Sequence, residues 1–531
     1  MSRKYLGGSG HPLTVWISVA ASTVLIFYGY DQGVFGNVII NKNFLKTFGN
    51  PSSDLLSTMA SLYTIGAFVG SLSTMWSGDL IGRPRQLILG SIVLAIGAII
   101  QSSSFNVAQM IVGRVIAGIG TGMNTATASV WQAETSKFSS RGKLIIVQMA
   151  NCITGFAISN WLTLGFSFAK GSVAWRFPLA FQVLFSLLIC FMCPFLPDSP
   201  RLLLRKGKHA ETLEVLAALE GNGANPDSPS VRAQFEDIRN VLNTEQINTY
   251  SWAQLVTGKG PAGVLRRMML GIGIQAMNQL SGINLTSYYM SYIFENALNF
   301  DELLSRLLAA AASMDYLFFA CAAFFTIEHF GRRKVMILSS AACCICWVVI
   351  AIVLYLSDKG LGDTYRLNIV AVAFFFIFFA SFGMGILGVT WVYAAEINAL
   401  EMRTKGASLA AAIQWIINYM VVQITPIGIQ NLSWRFWIIW AIICFSFIPV
   451  TYLFYPETTG RTLEDIDRYF EGNPGIIVAR DRAAVSVKRT SPSPQTDIEI
   501  FAQCFDGSDR GDATGSCKEI GFSGHTTHYE T

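Results

Sequence analysis

Three ionisable side chains fall well inside apolar stretches, away from their ends: Asp31, Arg114 and Asp315. A charge on a helix face in lipid costs about 2.5–3.5 kcal/mol on insertion scales, so each must face a partner or a watery cavity. Asp31, in TVWISVAASTVLIFYGYDQGVFG, lies about four residues below one end of its stretch, and Arg114 lies about seven residues into a stretch running the opposite way. At about 1.5 Å per residue the two come out at similar depth. Desolvation favours a neutral carboxyl and a nearby arginine favours a charged one, so a pair that makes and breaks would load and release a proton. The bland alternative is a static ion pair that only fixes packing. Asp315, in SRLLAAAASMDYLFFACAAFF, lies about eleven residues in, with no basic residue beside it, and is read as a second protonatable group.

Neutral amides form the next set. Gln148 and Asn151 share a helical face with Gly155 and Ser159, and Gln275, Asn278 and Gln279 do the same ahead of Gly282, Asn284 and the pair Tyr288-Tyr289. Further on come Trp391, Gln414, Trp415 and Asn418. Amides both donate and accept, which suits a hydroxyl-rich ligand better than an ion, and an indole face can pack on a sugar ring. Helix-to-helix glue is the competing explanation for any one amide; for the set, a substrate cavity is expected.

A third set lies in short basic loops. GDLIGRPRQ holds Asp79 and Arg83, and IEHFGRRKV holds Glu328, Arg332 and Arg333, with each acid three residues before a glycine. Glu134 with Arg141 and Glu396 with Arg403 end two other apolar stretches. Positive charge alone would anchor topology. The placed acids add the expectation of ion-pair latches that hold one conformation and release in another.

The elements that must position these groups are transmembrane helices. The chain has 531 residues, 52% hydrophobic and 14% charged, too apolar and too poor in charge for a soluble protein of this size. About twelve stretches can cross a hydrocarbon core of about 30 Å, near 14–35, 55–77, 86–104, 107–131, 144–166, 177–196, 264–294, 304–327, 335–356, 368–395, 406–428 and 434–455. The predicted fold is all-α and polytopic, with twelve transmembrane helices in two six-helix pseudo-repeats. The divisions are a cytoplasmic N-terminus at 1–13, a first bundle at 14–196, a loop with short helices at 197–263, a second bundle at 264–455, and a largely disordered tail at 456–531.

Internal echoes support the duplication. Glu396 and Arg403 repeat Glu134 and Arg141 at one common offset, GRRK repeats GRPR, and PETTGR from Pro456 answers PDSPR from Pro197. Paired repeats around a central site are a common transporter plan. Glycines 113, 118, 120 and 122 in the fourth stretch call for close approach of a neighbouring helix.

Most Lys and Arg fall in loops on the side of the termini, so both termini are expected in the cytoplasm. The net charge of +4 reflects those loops, and no nucleic acid is implied. No cleavable signal precedes the first span. Most of the 10 cysteines lie inside spans, and neither a disulfide framework nor a metal site is indicated. The sequon at Asn431 stands too near the membrane to be used. No cofactor or enzymatic constellation is expected. The expected partners are protons, a small hydroxylated substrate and the lipid bilayer, with the unit functional as a monomer.

These residues resemble the sugar porter family of the major facilitator superfamily from about Gly29 to Phe470. The motifs are GYDQG, the GRPR and GRR loops, GRVIAGIGTG, WQAE followed by RG, PDSPR, QLSGIN, WVYAAE and PETTGR. NTATASVWQAETSK and WRFPLAFQ look like fungal members, similar to the glycerol and polyol proton symporters. The resemblance implies two bundles rocking about a central site in a fungal plasma membrane. It further implies a proton site at Asp31 partnered by Arg114, and substrate contacts at Gln279, Asn284, Trp391 and Trp415. The sequence departs from the pattern at Asn278 and Gln414. Met149 stands where the family's glutamine is usual, with Gln148 one position early, and Gly388 and Ser129 replace prolines. The site is therefore remodelled, and a hexose does not follow from the resemblance. The functional expectation is proton-coupled symport of a sugar, polyol or related hydroxylated molecule. An uncoupled facilitator and a non-transporting nutrient sensor are the alternatives, and organic acids such as quinate remain possible substrates.

Overall fold

The structure, a computed structural model, describes residues 5–136, 141–221, 223–247, 263–398, 403–459, 461, 463–472 and 474–485. Twelve spans cross one after another. The first six are His11–Val38, Ser53–Ile81, Arg83–Ser102, Val107–Thr135, Arg141–Ser167 and a sixth made of Val173–Ala180 continued by Gln182–Met192. The second six are the pair Val264–Leu280 and Ile283–Asn296, then Glu302–Phe330, Arg332–Asp358, the pair Thr364–Met384 and Ile386–Ile397, Arg403–Leu432 and Arg435–Phe454. Among the described residues ten spans are long and apolar enough to cross a membrane by length and composition. The fourth span falls short of that measure because Arg114, its glycines and its threonines lower its mean hydropathy. The seventh falls short because it is two shorter helices. Side chains such as Phe191, Leu187, Phe318 and Ile442 stay exposed on the outer belt, as a lipid-facing surface requires.

The breaks were not expected. Span 7 was predicted as one helix, yet it stops at Ser281 and restarts after Gly282, whose φ of 92° is left-handed. Span 10 breaks at Gly385, and span 6 at Phe181, three residues after Pro178. In the interior of a span such breaks are tolerated only where backbone groups face protein or a cavity.

Local sequence sets the helix ends. Ser52 accepts from the Leu55 N–H and Asn106 from the Gln109 N–H, capping spans 2 and 4. Spans 3 and 9 start differently, since Gly82 and Gly331 turn at φ 106° and 85° and offer no side-chain cap. Their caps come from far along the chain. Asp198 accepts from the Arg83 N–H at 2.9 Å, and Glu457 accepts from the N–H groups of Arg332 at 2.9 Å and Arg333 at 3.1 Å. Asp198 belongs to PDSPR and Glu457 to PETTGR, so the two echoing motifs do the same job in each half. Glu457→Ala is expected to cost about 1–2 kcal/mol, the usual worth of a helix cap. The check is the thermal unfolding midpoint of the detergent-solubilised protein; an unmoved midpoint would mean that the cap is not holding span 9.

The glycines of span 4 permit the expected close approach. A Cβ at Gly118 or Gly122 would collide with backbone carbonyls of span 2, and one at Gly120 would lie 2.6 Å from the Leu94 nitrogen of span 3. Within the first bundle span 1 packs on span 5, and spans 2 and 3 on span 4. The bundles meet through spans 2 and 11, 5 and 8, and 1 with the second half of 7. The connecting segment forms the helices Pro200–Arg205, His209–Glu220 and Pro229–Ile247, with their own small core at Leu204, Leu216 and Phe235.

One expectation about the tail needs correcting. The chain beyond about 472 was predicted to be disordered, but residues 474–485 dock under the second bundle. Val478 and Ala484 are fully buried, and Glu457 N donates to Ala484 O at 2.9 Å. The run PGIIVARDRAAV is apolar at both ends with a charged middle, and so short a stretch shows no helical or strand period to read. Residues 486–531 lie outside the described residues.

Candidate functional site

Asp31 and Arg114 meet in the outer half of the first bundle. Arg114 Nη1 donates to both carboxylate oxygens of Asp31 at 3.3 Å, and the pair is sealed from solvent. The guanidinium also donates to the carbonyls of Met59 at 3.4 Å and Ala60 at 3.2 Å, and its carbon lies 4.2 Å from the Phe35 ring centre and 4.5 Å from that of Tyr63. Two carbonyls and two ring faces stabilise the cation when the carboxylate is neutral, so the arginine does not depend on Asp31 alone. Tyr63 and Gln182 stand beside the carboxylate.

Between the bundles lies a cavity of about 40 Å³, room for only a few waters. Its polar wall is an amide relay on span 7. Gln279 Nε2 donates to Asn278 Oδ1 at 3.0 Å, Asn278 Nδ2 donates to Thr390 Oγ1 at 2.8 Å, and Asn284 Nδ2 donates to Gln279 Oε1. The break at Ser281–Gly282 lets residues on both half-helices face the same space. Trp391 and Gln414 complete this side, and Gln414 Oε1 is buried without a hydrogen-bond partner. Trp415 lies just behind, edge-on to Tyr28 at 5.5 Å.

Several groups were missed from sequence. Tyr28 and Gln32 line the cavity from span 1, joined by a 2.7 Å bond from Gln32 Nε2 to the Tyr28 hydroxyl. Their i, i+4 spacing beside Asp31 was the available signal. Ser287, Tyr316 and Phe382 also line the cavity; nothing in their local sequence separates them from core residues.

Other expected residues lie elsewhere. Gln148 Nε2 donates to Gln132 Oε1 at 2.6 Å, Gln132 donates to Ser18 at 3.0 Å, and Asn151 donates to Ser22 at 2.9 Å. These amides join helices inside the first bundle, while Met149, Cys152 and Ile153 present span 5 to the cavity. The helical face was read correctly as polar, but its partners are side chains of spans 1 and 4. Gln275 is buried on span 7 away from the cavity, with Oε1 lacking a partner. Asp315 is half-buried on a flank of span 8, its Oδ2 without a hydrogen bond, and the next residue, Tyr316, is the one at the cavity.

The basic loops do form ion pairs. Arg83 pairs with Glu134 at 3.2 Å and Arg332 with Glu396 at 3.2 Å, each inside its own bundle. Arg333 is turned to the Tyr452 carbonyl at 2.5 Å. The side chains of Asp79, Arg141, Glu328 and Arg403 lie outside the described residues.

The face opposite the termini is closed. Ser61 donates to Gln423 Oε1 at 2.5 Å, and Gln423 Nε2 donates to Ser57 at 3.3 Å and Thr58 at 3.2 Å, joining spans 2 and 11. Ser291 of span 7 donates to Asn37 Oδ1 of span 1 at 2.5 Å. Gly36 abuts the Tyr288 carbonyl so closely that a Cβ would overlap it. On the side of the termini Ile146 of span 5 packs with Leu270, Val389 and Val392 of the second bundle.

Comparison with known proteins gives consistent relatives. A family model described as "Sugar (and other) transporter" matches residues 16–470. The MFS-type transporter oryC of Aspergillus oryzae is 43% identical over 94% of this chain and 93% of its own. The sugar transporter STL1 of Saccharomyces cerevisiae is 31% identical over 87% of this chain and 82% of its own. Among solved structures, the MFS proton:xylose symporter XylE bound to 6-bromo-6-deoxy-D-glucose superposes with a TM-score of 0.72 at 22% identity, covering 86% of this chain and 99% of that one.

Proposed function

The chain belongs to the sugar (and other) transporter family of the major facilitator superfamily, and from that premise we propose that it is a proton-coupled symporter of a sugar, polyol or related hydroxylated molecule. It is a multi-pass membrane transporter and not an enzyme. The proposed setting is a fungal plasma membrane with both termini in the cytoplasm.

The observation that carries proton coupling is the sealed Asp31–Arg114 pair, one residue from Gln32 at the cavity wall. Protonation of Asp31 loosens its hold on Arg114, which the Met59 and Ala60 carbonyls retain, and the rearrangement of span 1 reaches the cavity through Gln32 and Tyr28. Substrate hydroxyls exchange with the Asn278–Gln279–Asn284 relay and with Gln414, while Trp391 supplies an apolar face. The bundles then rock, the seals at Gln423 and Asn37 opening as the opposite side closes. The Arg83–Glu134 and Arg332–Glu396 pairs hold the loops of each bundle in one arrangement. Asp315 is kept as a second protonatable group, outside this core step.

The test is uptake of labelled glycerol, glucose and xylose by cells lacking their own transporters, with external pH recorded and an uncoupler added in parallel. External alkalinisation, and uptake above equilibrium that the uncoupler abolishes, is the expected result. Uptake that merely equilibrates identifies a facilitator and leaves Asp31 a structural role. No uptake of the three overturns the assignment for these substrates and moves the search to organic acids.

A further inference from the structure

A second cavity lies at the membrane face opposite the termini, entirely within the second bundle, with a volume of about 300 Å³. That reaches the range of small-molecule sites, while the central cavity holds about 40 Å³ in the same conformation. Its wall comes from the outer ends of spans 7, 9, 10, 11 and 12. The polar groups are Asn296, Asn299, Ser357, Asp358, Thr364 and Ser433, set against the indole of Trp434.

Two features mark it as more than a gap between loops. The described residues include three non-glycine positions with left-handed backbone, and two of them, Asn299 at φ 54° and Ser433 at φ 48°, line this cavity. Such conformations are uncommon, cost free energy, and gather at ligand clamps. Trp434 is also held in place. The Tyr355 ring meets it edge-on at 4.9 Å and Arg435 lies over it at 5.4 Å. The mouth is thus a fixed aromatic beside an array of amides, hydroxyls and one carboxylate.

The donor set selects the ligand. Amides and hydroxyls both donate and accept, a lone carboxylate accepts from two vicinal hydroxyls, and an indole covers the C–H face of a ring. A single carboxylate with neutral amides is a poor cation cage, since hard cations take six or more oxygens with several charges. We propose that this cavity is a second binding site, distinct from the central one, for a monosaccharide or small polyol arriving from the face opposite the termini. It accepts ligand while the central cavity is contracted. The choice of probes rests on the transport reading above; the site itself does not.

The experiment measures equilibrium binding of labelled glucose, xylose and glycerol to the purified full-length protein in lipid nanodiscs. Variants are Trp434→Ala and Asp358→Asn at the outer cavity and Gln279→Ala at the central relay, each checked for an unchanged elution profile. The expected result is two sites for one of the probes, one removed by Gln279→Ala and the other by either outer variant. A single site removed by Gln279→Ala and untouched by Trp434→Ala and Asp358→Asn overturns the proposal and leaves the transport reading standing. A single site removed only by the outer variants supports the proposal and overturns the central assignment. Absence of binding by all three probes overturns both.

Discussion

Asp31→Asn abolishes accumulation while leaving exchange. Under the proposed coupling of one proton per substrate, the wild type would draw about 2.3 kcal/mol from each 100 mV of membrane potential. At about 1.4 kcal/mol per decade that supports roughly fifty-fold accumulation, and the variant's ratio falls to unity. Loss of one partner from a buried ion pair commonly costs about 3–5 kcal/mol, because the other charge is stranded. Here Arg114 keeps the Met59 and Ala60 carbonyls and the Phe35 and Tyr63 rings, so the folded protein should survive. Counterflow of labelled substrate in reconstituted vesicles, where no net proton flow is needed, separates the two roles. Retained counterflow with lost accumulation is the expected pattern. If both disappear together the aspartate is structural, and if accumulation persists the proton travels by another route.

The second large effect is steric. Gly36→Val places a branched side chain where span 1 meets the Tyr288 carbonyl of span 7, a contact made in this conformation, whose outer face is shut. Overpacking costs about 1–3 kcal/mol, so the closed population and the net uptake fall by up to about a hundredfold. Each bundle keeps its own core, so folding should be spared. Added Gln423→Cys, lying in the seal with Ser61, reports the change. A membrane-impermeant maleimide should label it faster from the outside in the valine background. Normal uptake in Gly36→Val would show that this contact is not the seal.

Much of the architecture was legible because lipid is an exacting solvent. A helix must cross it with its backbone satisfied internally, so twelve apolar stretches and two copies of one motif set are enough to place twelve spans in two halves. The depth argument brought Asp31 and Arg114 together for the same reason: few arrangements tolerate two charges in lipid. That the basic loops would form ion pairs was likewise expected from the duplicated motifs, but which arginine meets which acid, Arg83 with Glu134 and Arg332 with Glu396, came only from the structure.

Fold class, repeat and the location of charge could thus be read from residue order alone, all consequences of what each residue costs in hydrocarbon. Which polar face looks inward to the central cavity and which looks sideways to another helix emerged from the packing of the helices. Gln148 and Asn151 share a helical face as Gln275, Asn278 and Gln279 do, yet the first pair bonds Gln132 and Ser22 inside one bundle while Asn278 and Gln279 line the central cavity. Periodicity reports that a face is polar, because that depends on the helix alone; the identity of what it faces depends on how neighbouring helices rotate and where they break. The break at Gly282 and the contact of Gly36 with Tyr288 belong to the same class, set by non-local packing that no single helix encodes.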